Sequence, residues 1–238
     1  MDTVASRLAR IRREVDEAAR SCGRDPSEIT LVAATKTQSG DTIRAAIAAG
    51  VAVCGENRVQ ELTAHLAEDA YRGARVHFIG HLQTNKVKDV VGKVELIHSV
   101  SSEKLLLAIE KQGEKLGIVQ DILLEVNLAG EASKSGFSPA QTLPAARLAA
   151  ALPHVGLRGL MCIPPAARER GENVSYFRNL ARLAVDIRQE MGDNIADMVC
   201  LSMGMSGDYQ DAVSAGATHI RLGTALFGPR PPIGHTEF

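Results

Sequence analysis

Residues 29–50 read ITLVAATKTQSGDTIRAAIAAG, and this stretch contains the structural unit that recurs along the chain. Ile29 to Ala34 form a short apolar run rich in β-branched residues, which leads into the polar Lys36. Asp41 to Ala49 then return to residues that favour helix, and Gly50 supplies a C-terminal stop. The segment therefore predicts a strand followed by a helix.

The same unit recurs, because strand-like runs number eight when the first is included. The other seven are Val51–Cys54, Val76–Ile79, Val94–Val100, Ile122–Val126, Gly156–Cys162, Met198–Met203 and His219–Leu222. Helix-compatible stretches lie between them at Val59–Ala70, Glu103–Leu116, Pro139–Ala151, Val174–Met191 and Asp208–Ala215, with a weaker case at Gln83–Val91. Apolar strands that alternate with helices are typical of parallel strands covered on both faces. We predict an α/β fold, a single-domain (β/α)₈ TIM barrel, with an open doubly wound sheet as the alternative.

Composition excludes several classes of protein. The chain has 238 residues, of which 45% are hydrophobic and 3% aromatic, and its formal net charge is -1. The apolar fraction is enough to build a core, which argues against a disordered chain. The balanced charge gives no reason to expect nucleic acid or a membrane as the main partner, and so few aromatics cannot form a base-stacking platform.

The N-terminal residues and the cysteines bear on location. Charges recur every three or four residues in segment 1–22, which predicts an extra N-terminal helix and not a signal peptide. No run of about 18 apolar residues predicts a membrane span. Four scattered cysteines without a C-x-x-C pair indicate reduced thiols in a cytoplasmic protein. We expect one domain over residues 1–238, with an irregular Pro-rich tail from about residue 228.

Polar or reactive residues stand at the C-terminal end of almost every predicted strand, where barrels carry their chemistry. They are Lys36, Asn57, His81, Ser99 with Ser101, Asn127, Met161 with Cys162, Ser202, and Arg221 with Gly223 and Thr224. A lysine that ends an apolar strand is partly desolvated, which favours the neutral amine and suits Schiff-base chemistry with an aldehyde. A lysine that only reaches solvent at the barrel rim is the alternative.

Two glycine-containing turns predict a phosphate site. The segment from Ser202 to Asp208 leaves a strand and enters a helix, with hydroxyls and glycines where backbone N–H groups are unpaired. Residues Arg221 to Thr224 form a second such turn, and barrels often bind phosphate in the loops after strands seven and eight. Ordinary capped turns are the alternative. His77 and His81 have the spacing of a helical zinc pair, but His77 to Gly80 read as strand and Gly80 interrupts the geometry, so we expect no metal site.

Seven separate motifs occur in a characteristic order. They are LVAATKTQ at 31–38, GENRVQEL at 55–62, HFIGHLQTNK at 77–86, HSVSS at 98–102, EVNLAGEASKSGF at 125–137, GLMCIPP at 159–165 and SMGMSGDYQDAVSAGATHIRLGTALFG at 202–228. Together they resemble the pyridoxal phosphate homeostasis proteins, the YggS/PROSC family, over nearly the whole chain. Two departures are minor: Gly207 stands where the family often has an acidic residue, and Cys162 replaces a commoner threonine.

The resemblance implies a monomeric barrel like the N-terminal domain of alanine racemases, which holds pyridoxal 5'-phosphate (PLP) as an internal aldimine on Lys36. It further implies that Ser202, Gly223 and Thr224 hold the phosphate with help from Ser206. The remaining implied contacts are Asn57 and His81 near the cofactor ring, Met161 on its face, and Arg221 at the pyridine nitrogen.

Arg221 bears on reactivity at that position. A guanidinium stays protonated and cannot accept a hydrogen bond, so it would keep the ring nitrogen unprotonated and weaken the cofactor as an electron sink. Racemisation also needs an acid and a base on opposite faces of the substrate. In the related racemases a tyrosine of a second domain serves one face, and we expect eight strand-helix units to leave no residues for that domain here.

Two functions from different classes follow. The first is a non-catalytic protein that binds PLP, maintains the intracellular supply of this vitamin B6 cofactor, and passes it to PLP-requiring apoenzymes. The second is a PLP enzyme such as a weak amino-acid racemase, with His81 or Cys162 as the second proton-transfer group. A barrel that binds another phosphorylated metabolite without an imine is a third possibility. We favour the first, because the cofactor site is complete while a catalytic group is missing.

Overall fold

Eight parallel strands close into a barrel in chain order in the computed structural model, which describes residues 2–131, 134–167, 169–195 and 197–229. The strands are β1 Thr30–Ala34, β2 Val53–Glu56, β3 Arg75–Phe78, β4 Leu96–Val100, β5 Gln120–Glu125, β6 Val155–Met161, β7 Cys200–Ser202 and β8 His219–Leu222. Strand β8 pairs with β1, with Val32 opposite Arg221. The predicted (β/α)₈ barrel is confirmed.

Helices surround the barrel. They are α1 Val4–Ser21, α2 Gly40–Ala48, α3 Val59–Ala67, α4 Glu103–Leu116, α5 Pro139–Ala151, α6 Val174–Met191, α7 Tyr209–Ser214 and α8 Thr224–Phe227. Their apolar faces pack on the outer faces of the strands in one continuous core, which includes Phe78, Ile97 and Phe177. Because both faces of each strand are covered, the strands read as apolar runs in the sequence.

The extra N-terminal helix is also confirmed. Helix α1 begins with a capping box between Thr3 and Ser6, and its buried residues are Leu8, Ile11, Val15 and Ala19. This spacing of three or four residues places them on one face. Arg7 on the same helix donates to the carbonyl of Leu226 at 2.9 Å, which ties α1 to α8.

The segment between β3 and β4 differs from the weak helix prediction at Gln83–Val91. The structure has a 3₁₀ helix at Thr84–Asp89, without a side-chain cap and with Val87 as its one buried residue. A single buried position cannot give an α-helix the apolar stripe it needs to dock, so a short tight helix forms instead. The predicted tail from residue 228 lies outside the described residues beyond Pro229.

Alternate strand residues face the inside of the barrel, and many of them are polar. Val32, Ala34, Val53 and Ile79 form one small apolar cluster, separate from the outer core. The other inward positions include a group that we call the interior histidine cluster, His77, His98 and His219, whose ring centroids lie 5.1 to 5.9 Å apart. Arg221 and Ser202 lie beside this cluster at the C-terminal ends of their strands.

Candidate functional site

Lys36 lies in the turn that follows β1, between two anchored residues. The Thr35 N–H donates to the Gly55 carbonyl at 3.0 Å, and the Thr35 hydroxyl oxygen lies 3.2 Å from the same carbonyl. Thr37 has a left-handed backbone with φ of 64° and donates its N–H to Glu61 Oε2 at 3.1 Å. These contacts place a half-buried lysine at the C-terminal mouth of the barrel, as the sequence predicts.

A buried carboxyl group connects this turn to the next strand end. Glu56, the last residue of β2, is fully buried and its Oε1 accepts hydrogen bonds from Thr35 Oγ1 and, at 2.9 Å, from Tyr71 OH. The ring Nδ1 of His65 lies 3.1 Å from the same oxygen, and the Asn57 N–H donates to Oε2 at 3.3 Å. Glu56 therefore ties the residue before Lys36 to Asn57.

The turns after β7 and β8 meet at the Ser206 hydroxyl. Ser206 Oγ accepts hydrogen bonds from the N–H groups of Gly223 and Ala225, at 3.3 and 3.1 Å. A Cβ built on Gly223 would lie 3.8 Å from the Cβ of Ala34, so this turn borders the end of β1. A hydroxyl and two backbone N–H groups thus converge beside the strand that leads into Lys36, an arrangement that suits a phosphate.

Side chains outside the turn shape the loop that carries Ser206. Asp208 Oδ1 accepts a hydrogen bond from the Met205 N–H at 2.7 Å. Its other oxygen accepts from Asn173 Nδ2 at 2.7 Å. Both Asp208 and Asn173 are buried, so the loop has a fixed shape before any ligand binds.

Ser202 has a different environment from the one its sequence position suggests. It is fully buried inside the barrel, where its hydroxyl accepts from Arg221 Nη1 at 2.6 Å and lies 2.8 Å from His98 Nδ1. Arg221 also donates from Nη2 to the Cys162 carbonyl at 3.0 Å. The Ser202 hydroxyl is thus bonded to Arg221 and His98 inside the barrel. The Ser206 hydroxyl instead lies in what we call the phosphate-type turn, where the turns after β7 and β8 meet.

The remaining predicted site residues also lie at the strand ends. Asn57 follows β2, and its buried Oδ1 has no hydrogen-bond partner among the described residues, which leaves an acceptor available for a ligand. Met161 is fully buried at the end of β6, opposite Ser202 in the register. Thr224 is exposed at the start of α8. His81 is exposed after β3, with Nδ1 3.3 Å from the Ser135 hydroxyl.

Burial controls protonation around the mouth and inside the barrel. Burial lowers the pKa of His77 to about 3 and that of His219 to about 4, and it lowers the pKa of His98 well below the ordinary value, so the cluster is neutral at pH 7. Burial raises the pKa of Cys162 to about 12, against the opposing effect of Arg221. Burial also raises the pKa of Glu125, which the Arg221 guanidinium partly offsets.

Two of the several cavities among the described residues lie at opposite ends of the barrel. One of about 360 Å³ is lined by Ser206, Gly207 and Asp208 beside the phosphate-type turn. Another of about 400 Å³ lies at the N-terminal ends of β1 and β2, lined by residues such as Arg12 and Gly50. Only the first adjoins the strand ends that carry the candidate residues.

Over the described ranges, no group of three or more His, Cys, Asp or Glu side chains is arranged to hold a metal ion.

Comparison with known proteins identifies the family. The model of the family described as "Alanine racemase, N-terminal domain" matches residues 6–231. A protein of Aquifex aeolicus named "Pyridoxal phosphate homeostasis protein" is 41% identical over 224 residues, which are 94% of this chain and 97% of the relative. The chain belongs to the pyridoxal phosphate homeostasis protein family. The resemblance that the motifs predict is therefore confirmed.

Solved structures agree with this family assignment. PipY of Synechococcus elongatus, solved with PLP bound, is 34% identical with a TM-score of 0.82, and the match covers 95% of this chain and all of PipY. An alanine racemase of Clostridium difficile is 15% identical with a TM-score of 0.68, and the match covers 93% of this chain and 56% of the racemase. The likeness to the racemase shows a shared barrel fold alone.

Two further observations bear on the predictions. Of the helices that the structure describes, none combines the length and the apolar character that crossing a membrane requires.

Sequence reasoning also missed Glu56 and His98 as candidate residues, although both lie inside quoted motifs. A charged residue directly before Asn57 and a histidine inside an apolar run were the available signals.

Proposed function

We propose that this protein binds PLP through a covalent Schiff base on Lys36 and maintains the intracellular supply of this cofactor without catalysing a reaction of its own. The observation that carries the proposal is the convergence of the Ser206 hydroxyl with the N–H groups of Gly223 and Ala225 beside the end of β1. An anion site next to a strand-end lysine fits a ligand with a phosphate at one end and an aldehyde at the other.

The phosphate belongs to the turns after β7 and β8 in this proposal. Ser206 and Thr224 supply hydroxyl groups, and Gly223 allows the backbone to approach the ligand closely because it has no side chain. Ser202 acts behind Arg221 in our assignment, since its hydroxyl already bonds to that guanidinium and to His98. Moving the Ser206 hydroxyl toward the phosphate frees two backbone N–H groups to donate as well.

The ring of the cofactor belongs between the strand ends. Asn57 offers the unpartnered buried Oδ1, Met161 supplies an apolar contact from the end of β6, and His81 borders the open side. Arg221 donates to the pyridine nitrogen, and a guanidinium at that atom keeps it unprotonated. Bound PLP supplies an electrophilic carbon and an electron sink, and Arg221 limits the second of these.

The absence of catalysis in this proposal rests on Cys162 and on two of the tyrosines. Burial raises the pKa of Cys162 to about 12, so its thiol holds its proton at neutral pH and is a poor base. The hydroxyl groups of Tyr71 and Tyr209 donate to the carboxyl groups of Glu56 and Glu14. Neither tyrosine is therefore poised as the second acid or base that racemisation requires.

The finer features of the proposal concern the cell. A monomer in the cytoplasm would hold PLP where newly made apoenzymes need it. The partners we propose are PLP itself and PLP-requiring apoenzymes, with no nucleic acid and no membrane. In support, Cys54 and Cys162 are buried free thiols, as in a protein from a reducing compartment. A single domain over residues 1–238 is part of the same proposal.

Titration with PLP tests the cofactor site. The protein is expected to gain a visible absorption band that borohydride fixes, and Lys36→Ala is expected to abolish the band while Lys88→Ala, at an exposed site on the 3₁₀ helix, retains it. A band of equal strength in Lys36→Ala contradicts the covalent assignment. Absence of any PLP binding favours a different phosphorylated ligand.

Two assays with the loaded protein test the role. Incubation with amino acids is expected to give no racemisation, and reproducible racemisation that Lys36→Ala removes would establish the enzymatic alternative. Incubation with an apoenzyme, beside an equal amount of free PLP and with a trap for free aldehyde, is expected to reactivate the apoenzyme better than free PLP does. Equal reactivation of the apoenzyme by the loaded protein and by free PLP contradicts delivery.

A further inference from the structure

A continuous line of hydrogen bonds runs through the barrel interior behind Arg221. Arg221 Nη1 donates to Ser202 Oγ at 2.6 Å, Ser202 Oγ lies 2.8 Å from His98 Nδ1, and His98 Nε2 lies 3.0 Å from His77 Nδ1. All four residues are buried, at 5% exposure or less. We call this line the Arg221 chain.

The direction of every bond in the Arg221 chain follows from its first member. A guanidinium has donors only, so the Ser202 oxygen accepts from Arg221 and the Ser202 hydroxyl proton is left to bond to His98 Nδ1. His98 Nδ1 is then an acceptor, which places the ring proton of this neutral imidazole on Nε2. His98 Nε2 donates to His77 Nδ1 by the same logic, so His77 also carries its proton on Nε2.

The far end of the chain supports this direction. His77 Nε2 is buried and makes no hydrogen bond within the described part of the chain, and the carboxylate oxygen Glu95 Oε1 lies 3.8 Å from it. A carboxylate attracts an N–H and repels a lone pair. The opposite direction would leave the Ser202 proton without an acceptor in a fully buried site, which is costly.

We propose that the Arg221 chain positions the Arg221 guanidinium at the mouth of the barrel. Ser202 contacts the guanidinium directly, and His98 and His77 support Ser202 from inside the barrel. A second bond to the Cys162 carbonyl at 3.0 Å leaves the guanidinium fixed from two directions. His98 and His77 are positioning residues in this proposal, since they reach a ligand only through Arg221. The expected effect on PLP affinity rests on the proposed function, whereas the hydrogen bonds of the Arg221 chain are present in the protein without PLP.

Substitutions in the chain provide the test, with a matched control from the same cluster. Ser202→Ala removes the link with little change in volume, and His98→Leu removes the acceptor. His98→Asn keeps an acceptor oxygen near the position of Nδ1 and serves as the conservative rescue. His219→Leu removes a neighbouring imidazole, 5.8 Å from His98, whose hydrogen bond goes to Thr218 instead of the chain.

The first readout is ¹⁵N NMR of the PLP-free protein. We expect His98 and His77 to carry the proton on Nε2, and we expect the Arg221 side-chain N–H signals to shift or broaden in Ser202→Ala and His98→Leu but not in His219→Leu. A proton on Nδ1 of His98, or Arg221 signals that respond equally to His219→Leu, overturns the proposal. This readout tests the Arg221 chain even if the protein binds no PLP. In that case the proposed function fails, while the hydrogen-bond directions in the Arg221 chain are still decided by the NMR signals.

The second readout is the dissociation constant for PLP, followed by its absorbance. Ser202→Ala and His98→Leu are each expected to raise the constant roughly tenfold, and the double variant no further, because either change breaks the same chain. His98→Asn and His219→Leu are expected to stay within about threefold of the parent. Additive effects in the double variant, or no rescue by asparagine when the variants unfold at the same denaturant concentration as the parent, would overturn the proposal.

Discussion

Removing the Glu56 carboxyl group is expected to destabilise the mouth of the barrel through the backbone that precedes Lys36. Glu56→Ala deletes the common acceptor of four hydrogen-bonding groups in a fully buried site. Two of these groups find substitutes, since the Thr35 hydroxyl can turn to the Gly55 carbonyl at 3.2 Å and the Tyr71 hydroxyl to His65 at 3.1 Å. The Asn57 N–H has no such substitute among the described residues.

The expected loss follows from this arrangement. An unpaired buried N–H costs about 1–3 kcal/mol, and the weakened bonds together with the small cavity add about 1 kcal/mol. The free energy of unfolding should therefore fall by about 3 kcal/mol, which corresponds to roughly 6–12 °C in melting temperature for a chain of this size. Glu56→Gln keeps the acceptor oxygen for Thr35 and Tyr71 but sets an amide N–H against the Asn57 N–H, so it should cost about 2 kcal/mol, less than alanine.

Urea unfolding followed by circular dichroism, with PLP absent, measures these differences. Tyr71→Phe is the companion variant, because it removes one donor and leaves the Glu56 carboxyl group with its other partners. Its expected cost is about 1 kcal/mol. A loss below 1 kcal/mol for Glu56→Ala, or an equal loss for alanine and glutamine, would refute the reasoning.

Three other properties follow from the same structure. A thiol reagent at pH 7.5 should label the exposed Cys22 quickly and leave Cys162 unmodified, because burial raises the pKa of Cys162 to about 12; rapid labelling of Cys162, located by peptide mapping, would contradict this. Gly159→Ala should cost about 2–3 kcal/mol in urea unfolding, because its Cβ would lie 1.8 Å from a carbonyl of β7, whereas Gly207→Ala, with nothing within 4 Å, should change stability by less than about 0.5 kcal/mol. The interior histidine cluster has pKa values lowered by burial, so the unfolded chain binds more protons, and stability should be complete above about pH 6.5 and decline toward pH 4 by up to about 1.4 kcal/mol per pH unit for each histidine. His98→Asn should flatten that decline, and an unchanged slope would refute this origin.

The fold was largely predictable from the sequence because both faces of each strand are buried. Runs such as Ile29 to Ala34 stand out as apolar whichever face each residue takes, and the glycines and polar residues between runs mark their ends. The boundary at β2 was less accurate. Cys54 was the predicted last residue, whereas the strand continues to Glu56. A glutamate is typical of an exposed loop, so nothing in the sequence indicates that this one is a buried strand residue.

The candidate site was predictable in position but not in its contacts. A polar residue after an apolar strand indicates the barrel mouth, and this pattern predicts the position of Lys36. Ser206 was predicted from the glycine-containing turn after strand seven and from the family resemblance. The partners of Ser202 were not predictable, because His98 is 104 residues away in sequence and only barrel closure brings them together. The direction in which a side chain points depends on strand register, which a short apolar run does not specify.

Peptide mapping after borohydride reduction of the PLP-treated protein tests the central claim most directly. Reduction turns a Schiff base into a stable secondary amine, so mass spectrometry of the digest identifies the lysine that held PLP. The account predicts one pyridoxyl group on the peptide that contains Lys36, and none on that peptide in Lys36→Ala. A label located mainly on another lysine, or no label at all under conditions that load PLP, would contradict it.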